Sequence, residues 1–217
     1  MFLTYSFTYY LRSITWFVSN CNAPSGRDEY VTEMQKVTKV DIFGKCSGTL
    51  DLSKQTADER QTLSDYKFYV AFENSKCPEY ATEKVHKILN LGIWDNPPVP
   101  IVMGPNKSWY ETHLPRQSFI HVDDFDNPKE LGQYLVYLGS NDDVYFEYLK
   151  WRRYYQHTRD STMRCKLCDM LVNNKLNQEK QVVISDFMAF WKKTECDRNI
   201  TFFSKFLILL NGFIKIL

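Results

Sequence analysis

Short runs of strand-forming apolar residues alternate with stretches whose apolar side chains recur at helical spacing. This alternation restricts the fold more than any other feature of the sequence. Residues 14–19 (ITWFVS) are apolar and end in a cluster of turn residues at 20–26. From Arg27, the positions Tyr30, Val31, Met34 and Val37 repeat at helical intervals, and 40–43 reads as a second strand closed by Gly44. Residues 45–64 are polar and irregular and predict a surface excursion. A buried strand is expected over 66–72, then a helix carrying Val85, Ile88 and Leu89 after a Thr82 cap, then strands over 99–103 and 119–122. Asn127, Pro128 and Glu130 form a helix-start signature ahead of Leu131, Tyr134, Leu135 and Leu138. Strands separated by helices predict an α/β fold: a Rossmann-like parallel sheet with flanking helices.

The chain has 217 residues, enough for one such domain and short for two. With 14 Tyr, 15 Phe and 5 Trp it can bury a sizeable core. A balance of 27 basic against 26 acidic residues excludes a general nucleic-acid footprint and leaves room for a local anion site. The aromatic N-terminus lacks the basic n-region and small-residue cleavage site of a signal peptide. Residues 200–217 are apolar, but Lys205, Asn211 and Lys215 interrupt them, so a peripheral contact or loose tail is expected rather than a membrane span. Two sequons, at Asn106 and Asn199, are candidate glycosylation sites and fit a secretory lumen.

Two cations stand where helix electrostatics discourage them. Arg27 follows Ser25-Gly26 directly after the first strand, and Lys84 falls in the first turn of the helix after strand 66–72. A helix N-terminus already carries about half a positive charge, so Arg or Lys there is locally unfavourable. A bound phosphate or diphosphate reverses that sign, because amides, dipole and cation then converge on one anion. Parallel α/β sheets hold ligands at this same end of their strands. The competing reading is a pair of solvated charges softened by Asp28, Glu29 and Glu83. Neither of the glycine-rich phosphate motifs, GxGxxG or GxxxxGK[ST], occurs.

The same segments carry a resemblance. Phe68-Tyr-Val-Ala-Phe-Glu-Asn-Ser75 followed by Tyr80-Ala-Thr-Glu-Lys84 resembles the signature of the α1,3/4-fucosyltransferases, glycosyltransferase family 10. Val18-Ser-Asn-Cys21 with Ser25-Gly-Arg27 is similar to that family's loop before the donor-domain helix. Residues 40–46, 119–125 and 148–152 follow its pattern in the same order, so the likeness covers roughly 14–170. It implies the C-terminal, donor-binding half of a GT-B glycosyltransferase, with the N-terminal domain missing. Residues 1–13 would be a remnant or unrelated segment, 14–175 the GDP-fucose-binding domain and 176–217 a C-terminal helical tail.

The resemblance further implies inverting transfer of L-fucose from GDP-fucose to an N-acetylglucosamine-containing glycan in α1,3 linkage. The alternative is a truncated or degenerate homologue that binds nucleotide sugar without turnover, or, from another class, an interaction protein that reuses the fold. Arg27 and Lys84 would neutralise the diphosphate, Glu83 would accept hydrogen bonds from sugar hydroxyls, and Asn74 and Tyr80 would line the donor pocket. The general base would be a Glu of the N-terminal domain, and no cofactor or metal would be required. The partners implied are a nucleotide sugar and a glycan acceptor, not nucleic acid. The Golgi lumen is the compartment expected, with membrane association only for a full-length version. Cys46 and Cys77 would pair with each other, while Cys165 and Cys168 would pair either locally or with the N-terminal domain. Cys21 and Cys196 are left as buried thiols.

Several features are expected to be structural. Asp123-Asp124 is not a spaced DxD, and loop hydrogen bonding is its better reading. His86, His113, His121 and His157 have no partner at ligand spacing. The stretch 92–98 departs from the family's tighter connection and is expected to bulge outward. Trp151-Arg152-Arg153 and the aromatics before it predict a helix packed back over the sheet.

Overall fold

The computed structural model describes residues 12–47, 59–90, 97–155, 162–172 and 196. Five strands, β1 (Arg12–Phe17), β2 (Val40–Phe43), β3 (Tyr66–Phe72), β4 (Val99–Met103) and β5 (Ile120–His121), form one sheet in the order β2-β1-β3-β4-β5. All four pairings are parallel, with Ile14 opposite both Val40 and Phe68, and Phe68 in turn opposite Val99. Among the described residues seven α-helices accompany them: α1 (Arg27–Met34), α2 (Glu59–Ser64), α3 (Glu83–Leu89), α4 (Lys107–His113), α5 (Pro128–Gly139), α6 (Asp142–Glu147) and α7 (Thr162–Val172).

Strand pleating sends successive side chains to opposite faces, and the core divides accordingly. Ile14, Trp16, Phe68, Val70, Phe72, Ile101 and Met103 meet Val31 and Met34 of α1, Leu131, Leu135 and Leu138 of α5, and Tyr145 of α6. Tyr69, Ala71 and Val102 meet Leu63 of α2, Val85 and Ile88 of α3, and Tyr110 of α4 on the other face. Each such side chain contributes about 2 kcal/mol when fully buried. The split follows from handedness. Right-handed crossovers put the helix leading outward from β1 to β2 on one face and those leading back across the sheet on the other.

The strands expected at 40–43, 66–72 and 99–103 form with those limits, while β1 starts and ends two residues earlier than the apolar run suggests. In α5, the Asn127 side chain accepts from the amides of Lys129 and Glu130 at 3.1 Å, as the helix-start signature predicts. Lys67 closes the far end of that helix, donating to the Gly139 carbonyl at 2.7 Å and pairing with Asp142 at 2.6 Å.

Four expectations change. Of the stretch 45–64, expected to be irregular, the described C-terminal end forms α2, which buries Leu63 in the same cluster as Tyr69. The sequon residue Asn106 is exposed and caps α4, a helix the periodicity did not reveal: its Oδ1 accepts from the Trp109 amide at 3.0 Å. Only Ile120 and His121 of 119–122 pair as a strand, and a 3-10 turn over Val122–Asp124 follows at once. Pro97 and Pro98 are buried as they lead into β4, so that end of the extra segment does not bulge outward. Residues 92–96 lie outside the described residues, as do Asn199, His157, residues 1–11 and all of 176–217 except Cys196. The aromatic stretch before Arg153 holds α6 and a 3-10 turn over Lys150–Arg153 with Trp151 buried.

The cysteine pairing also differs. Cys46 is bonded to Cys21 and Cys77 to Cys196, not Cys46 to Cys77. Strand order supplies the reason: β1 lies between β2 and β3, so the loop after β2 meets the loop after β1. There the Cys46 amide donates to the Val18 carbonyl at 3.3 Å. Cys21 and Cys196 are therefore bridge partners and not buried thiols. Cys165 and Cys168 are exposed on α7 and belong to neither disulfide.

Candidate functional site

Strand order reverses between β1 and β3: the chain leaves β1 outward to β2 and returns to β3 on the other side. Crevices at such reversals, beyond the carboxyl ends of the strands, are where open α/β sheets bind ligands. Here the loop from β1 into α1 and the loop from β3 into α3 face each other, joined by a hydrogen bond from the Ser25 amide to the Asn74 carbonyl at 3.0 Å.

Arg27 opens α1 directly after Gly26, which adopts a left-handed conformation (φ 71°) and supplies no side chain to the first-turn amides. Arg27 is only 2% exposed. It donates to the Phe72 carbonyl at 2.9 Å and the Asn20 carbonyl at 2.7 Å, and lies 5.6 Å from the centre of the Trp16 ring. These contacts offset part of the cost of burying a charge. Burial pulls its pKa below the usual arginine value, against the opposing fields of Asp28 and Glu73. Arginine stays charged regardless. Its Nε and the Ser25 hydroxyl are both buried without a hydrogen-bond partner. Unsatisfied polar atoms at a strand-end crevice are what a ligand would complete.

Lys84 arrives from the other side. Its ammonium lies 3.0 Å from Glu73 Oε2 and donates to Thr82 Oγ1 at 2.8 Å. Glu73 directly follows Phe72, so the partners of the two cations are consecutive residues at the end of β3. The groups that hold Arg27 and Lys84 thus lie side by side in the chain at the end of β3. Tyr80 is half-buried and close enough to contribute to the field at Arg27, while Asn74 is half-buried with its carbonyl held by Ser25. Glu83 begins α3 with its side chain 78% exposed and its carboxylate 3.8 Å from Lys84. All five residues singled out from sequence thus come from the two loops that flank the reversal.

Glu73 is the member sequence reasoning passed over. It is 1% exposed and accepts from the Thr82 amide at 2.7 Å, from the Thr82 hydroxyl at 2.8–2.9 Å and from Lys84. The Thr82 side chain was expected to cap α3; instead its hydroxyl is taken by Glu73 and makes no cap bond. The available signal was a carboxylate placed immediately after the apolar run 68–72, where a solvated loop would ordinarily begin.

His121 and the acidic pair Asp123-Asp124 make structural contacts. His121 is buried, with Nε2 3.3 Å from the Pro105 carbonyl and Nδ1 accepting from the Asp123 amide at 3.1 Å, which describes a neutral ring. Burial lowers its pKa, against Asp123. Asp124 pairs with Lys107. Among the described residues no group of three His, Cys, Asp or Glu side chains could hold a metal ion. Nor is any described helix long and apolar enough to cross a membrane.

Comparison with known proteins bears on the family and the fold. The family described as glycosyltransferase family 10 (fucosyltransferase), C-terminal part, matches residues 10–188. Glycoprotein 3-alpha-L-fucosyltransferase A of Drosophila melanogaster is 40% identical over 184 residues, covering 83% of this chain and 35% of that protein. The human 3-galactosyl-N-acetylglucosaminide 4-alpha-L-fucosyltransferase FUT3 is 40% identical over 180 residues, covering 82% of this chain and 46% of that protein. The chain therefore spans less than half the length of these curated relatives. A crystal structure of alpha1,3-fucosyltransferase with GDP-fucose shares the fold at a TM-score of 0.58 and 22% identity, covering 82% of this chain and 50% of that one. One with GDP reaches a TM-score of 0.52 at 26% identity, covering 65% and 39%.

Proposed function

Because the chain belongs to glycosyltransferase family 10, the fucosyltransferases, we propose that it is the donor-binding half of an enzyme that transfers L-fucose from GDP-fucose to an N-acetylglucosamine-containing glycan. The transfer forms an α1,3 linkage with inversion. One observation carries the reading: two cations from two different loops, Arg27 and Lys84, anchor to the adjacent residues Phe72 and Glu73 at the point of strand reversal.

Transfer with inversion requires a carboxylate to take the acceptor proton, tolerance of positive charge at the anomeric carbon, and stabilisation of the departing diphosphate. Arg27 and Lys84 serve the last requirement, by charge already fixed in place before the bond breaks, so no metal or cofactor is needed. Glu83, exposed at the start of α3, accepts from sugar hydroxyls, and Asn74 and Tyr80 line the donor pocket. The proton acceptor is a glutamate of the family's N-terminal domain. In domain terms, the donor-binding unit expected over 14–175 takes in Arg12 and Ser13 as the start of β1, with the segments on either side as flanks. Two disulfides suit an oxidising compartment, which supports the Golgi lumen, glycosylation at Asn106 or Asn199, and membrane attachment through a full-length version.

Lys84→Ala should weaken GDP binding at least tenfold by calorimetry, and unchanged affinity would remove the role. A second reading, a nucleotide-sugar binder without turnover, is favoured by the state of Glu73, the one buried carboxylate among the described residues. Its oxygens are occupied by Thr82 and Lys84 rather than open to an acceptor. Release of GDP from GDP-fucose on adding a lactosamine-type acceptor separates the two.

A further inference from the structure

We infer that Glu73 and Thr82 are positioning residues that aim a single N–H of Lys84 into the crevice. The inference rests on the donor-binding reading for what that N–H meets, and on bonds within the chain for how it is held. A lysine ammonium has three protons and free rotation on a long stem, so alone it presents charge without direction. Here one proton goes to Glu73 Oε2 at 3.0 Å and one to Thr82 Oγ1 at 2.8 Å. The third makes no hydrogen bond among the described residues, with Glu83 Oε1 3.8 Å away, on a side chain 19% exposed.

The cradle is itself fixed. The Thr82 hydroxyl spends its only proton on the Glu73 carboxylate, so its lone pairs are turned to Lys84. Glu73 is held from behind by its own amide, which donates to the Met103 carbonyl at 2.8 Å. Beside it, Gly104 leaves no slack: a Cβ there would lie 2.8 Å from Glu73 Cγ and 3.0 Å from the buried Tyr110 hydroxyl. Glu73 also contributes to the field at Arg27, so one buried carboxylate acts on both cations, with Asp28 near Arg27 and the exposed Glu83 3.8 Å from Lys84. Such pre-organisation raises affinity by removing the ordering cost from the binding step.

Thr82→Val keeps the shape and deletes the hydroxyl, while Thr82→Ser restores it. In ligand-free protein, reductive methylation followed by mass spectrometry should find Lys84 modified at least fivefold faster in Thr82→Val than in wild type or Thr82→Ser, with exposed Lys36 unchanged. By calorimetry, Thr82→Val should weaken GDP binding about tenfold, and should cost nothing further in a Lys84→Ala background. Unchanged Lys84 reactivity would overturn the cradle. An equal loss of affinity with and without Lys84 would overturn action through that lysine, and faster methylation with GDP affinity unmoved would reduce the cradle to a stabilising contact. If wild-type protein fails to bind GDP, the donor-binding reading falls, and the methylation rates alone decide whether Thr82 and Glu73 hold the ammonium.

Discussion

Gly104 shows how closely the crevice is built at the level of single atoms. The two groups a methyl would strike there, Glu73 Cγ and the Tyr110 hydroxyl, belong to fully buried side chains with nowhere to retreat. Gly104→Ala should therefore destabilise the protein by about 2 kcal/mol in urea unfolding, the usual cost of overpacking. A neutral or stabilising result would mean that Glu73 is free to move. His121 makes a separate prediction. Burial holds its folded pKa below the ordinary 6.5, so the folded protein binds fewer protons than the unfolded chain just below that value. Its contribution is thus present above pH 6.5 and lost as pH falls beneath it. Between pH 7.5 and 5.5 the wild type should lose more stability than His121→Gln, and equal losses would contradict a neutral buried ring. Arg27 and Lys84 were legible in the sequence because a cation at a helix entrance is anomalous by itself. Glu73 was not, because its meaning depends on Thr82, nine residues later, folding back onto it.

Between elements, α5 packs closely on α1 and the turn that follows it. A Cβ on Gly132 would come within 2.4 Å of Val37 Cγ2 and 3.3 Å of the Met34 carbonyl. Alanine is favoured over glycine in a helix by about 1 kcal/mol, whereas overpacking costs about 1–3 kcal/mol. Val37 is partly exposed and can turn away, but the Met34 backbone cannot. The clash should win, with Gly132→Ala lowering stability by about 1 kcal/mol, or a few degrees in melting temperature. A rise would show that the helices can part without loss. At this scale the sequence was readable where a cap and an apolar stripe agree, as in α5. It was opaque where signals overlapped: Asn106 reads as a sequon before it reads as the cap of α4, and Leu63 alone marks α2 within a polar stretch.

Over the whole molecule, the parallel sheet and its flanking helices followed from alternation alone, but the strand order that creates the crevice did not. Period and propensity say which segments are strands and not which lie side by side. The disulfides illustrate the same gap, since six cysteines permit fifteen full pairings and only the placement of β1 between β2 and β3 selects Cys21 for Cys46. In the chain-entropy model the Cys77–Cys196 closure, 119 residues apart, is worth about 5 kcal/mol. For Cys21–Cys46, 25 residues apart, the figure is about 3.5 kcal/mol. Removing both partners of the longer bridge should therefore cost more in denaturant unfolding than removing both of the shorter. The reverse order would indicate that the distant segment adds strain or carries little structure of its own.

Cys77 sits in the segment between Glu73 and Lys84, so its bond ties the stretch of chain that delivers the ammonium to a point far along the sequence. Material produced in a reducing cytoplasm would lack that tether, and with it about 5 kcal/mol of closure. Poor GDP affinity in such a preparation would then report the history of the sample and not the chemistry of the crevice. The oxidation state of Cys77 needs to be established by mass before any affinity is compared.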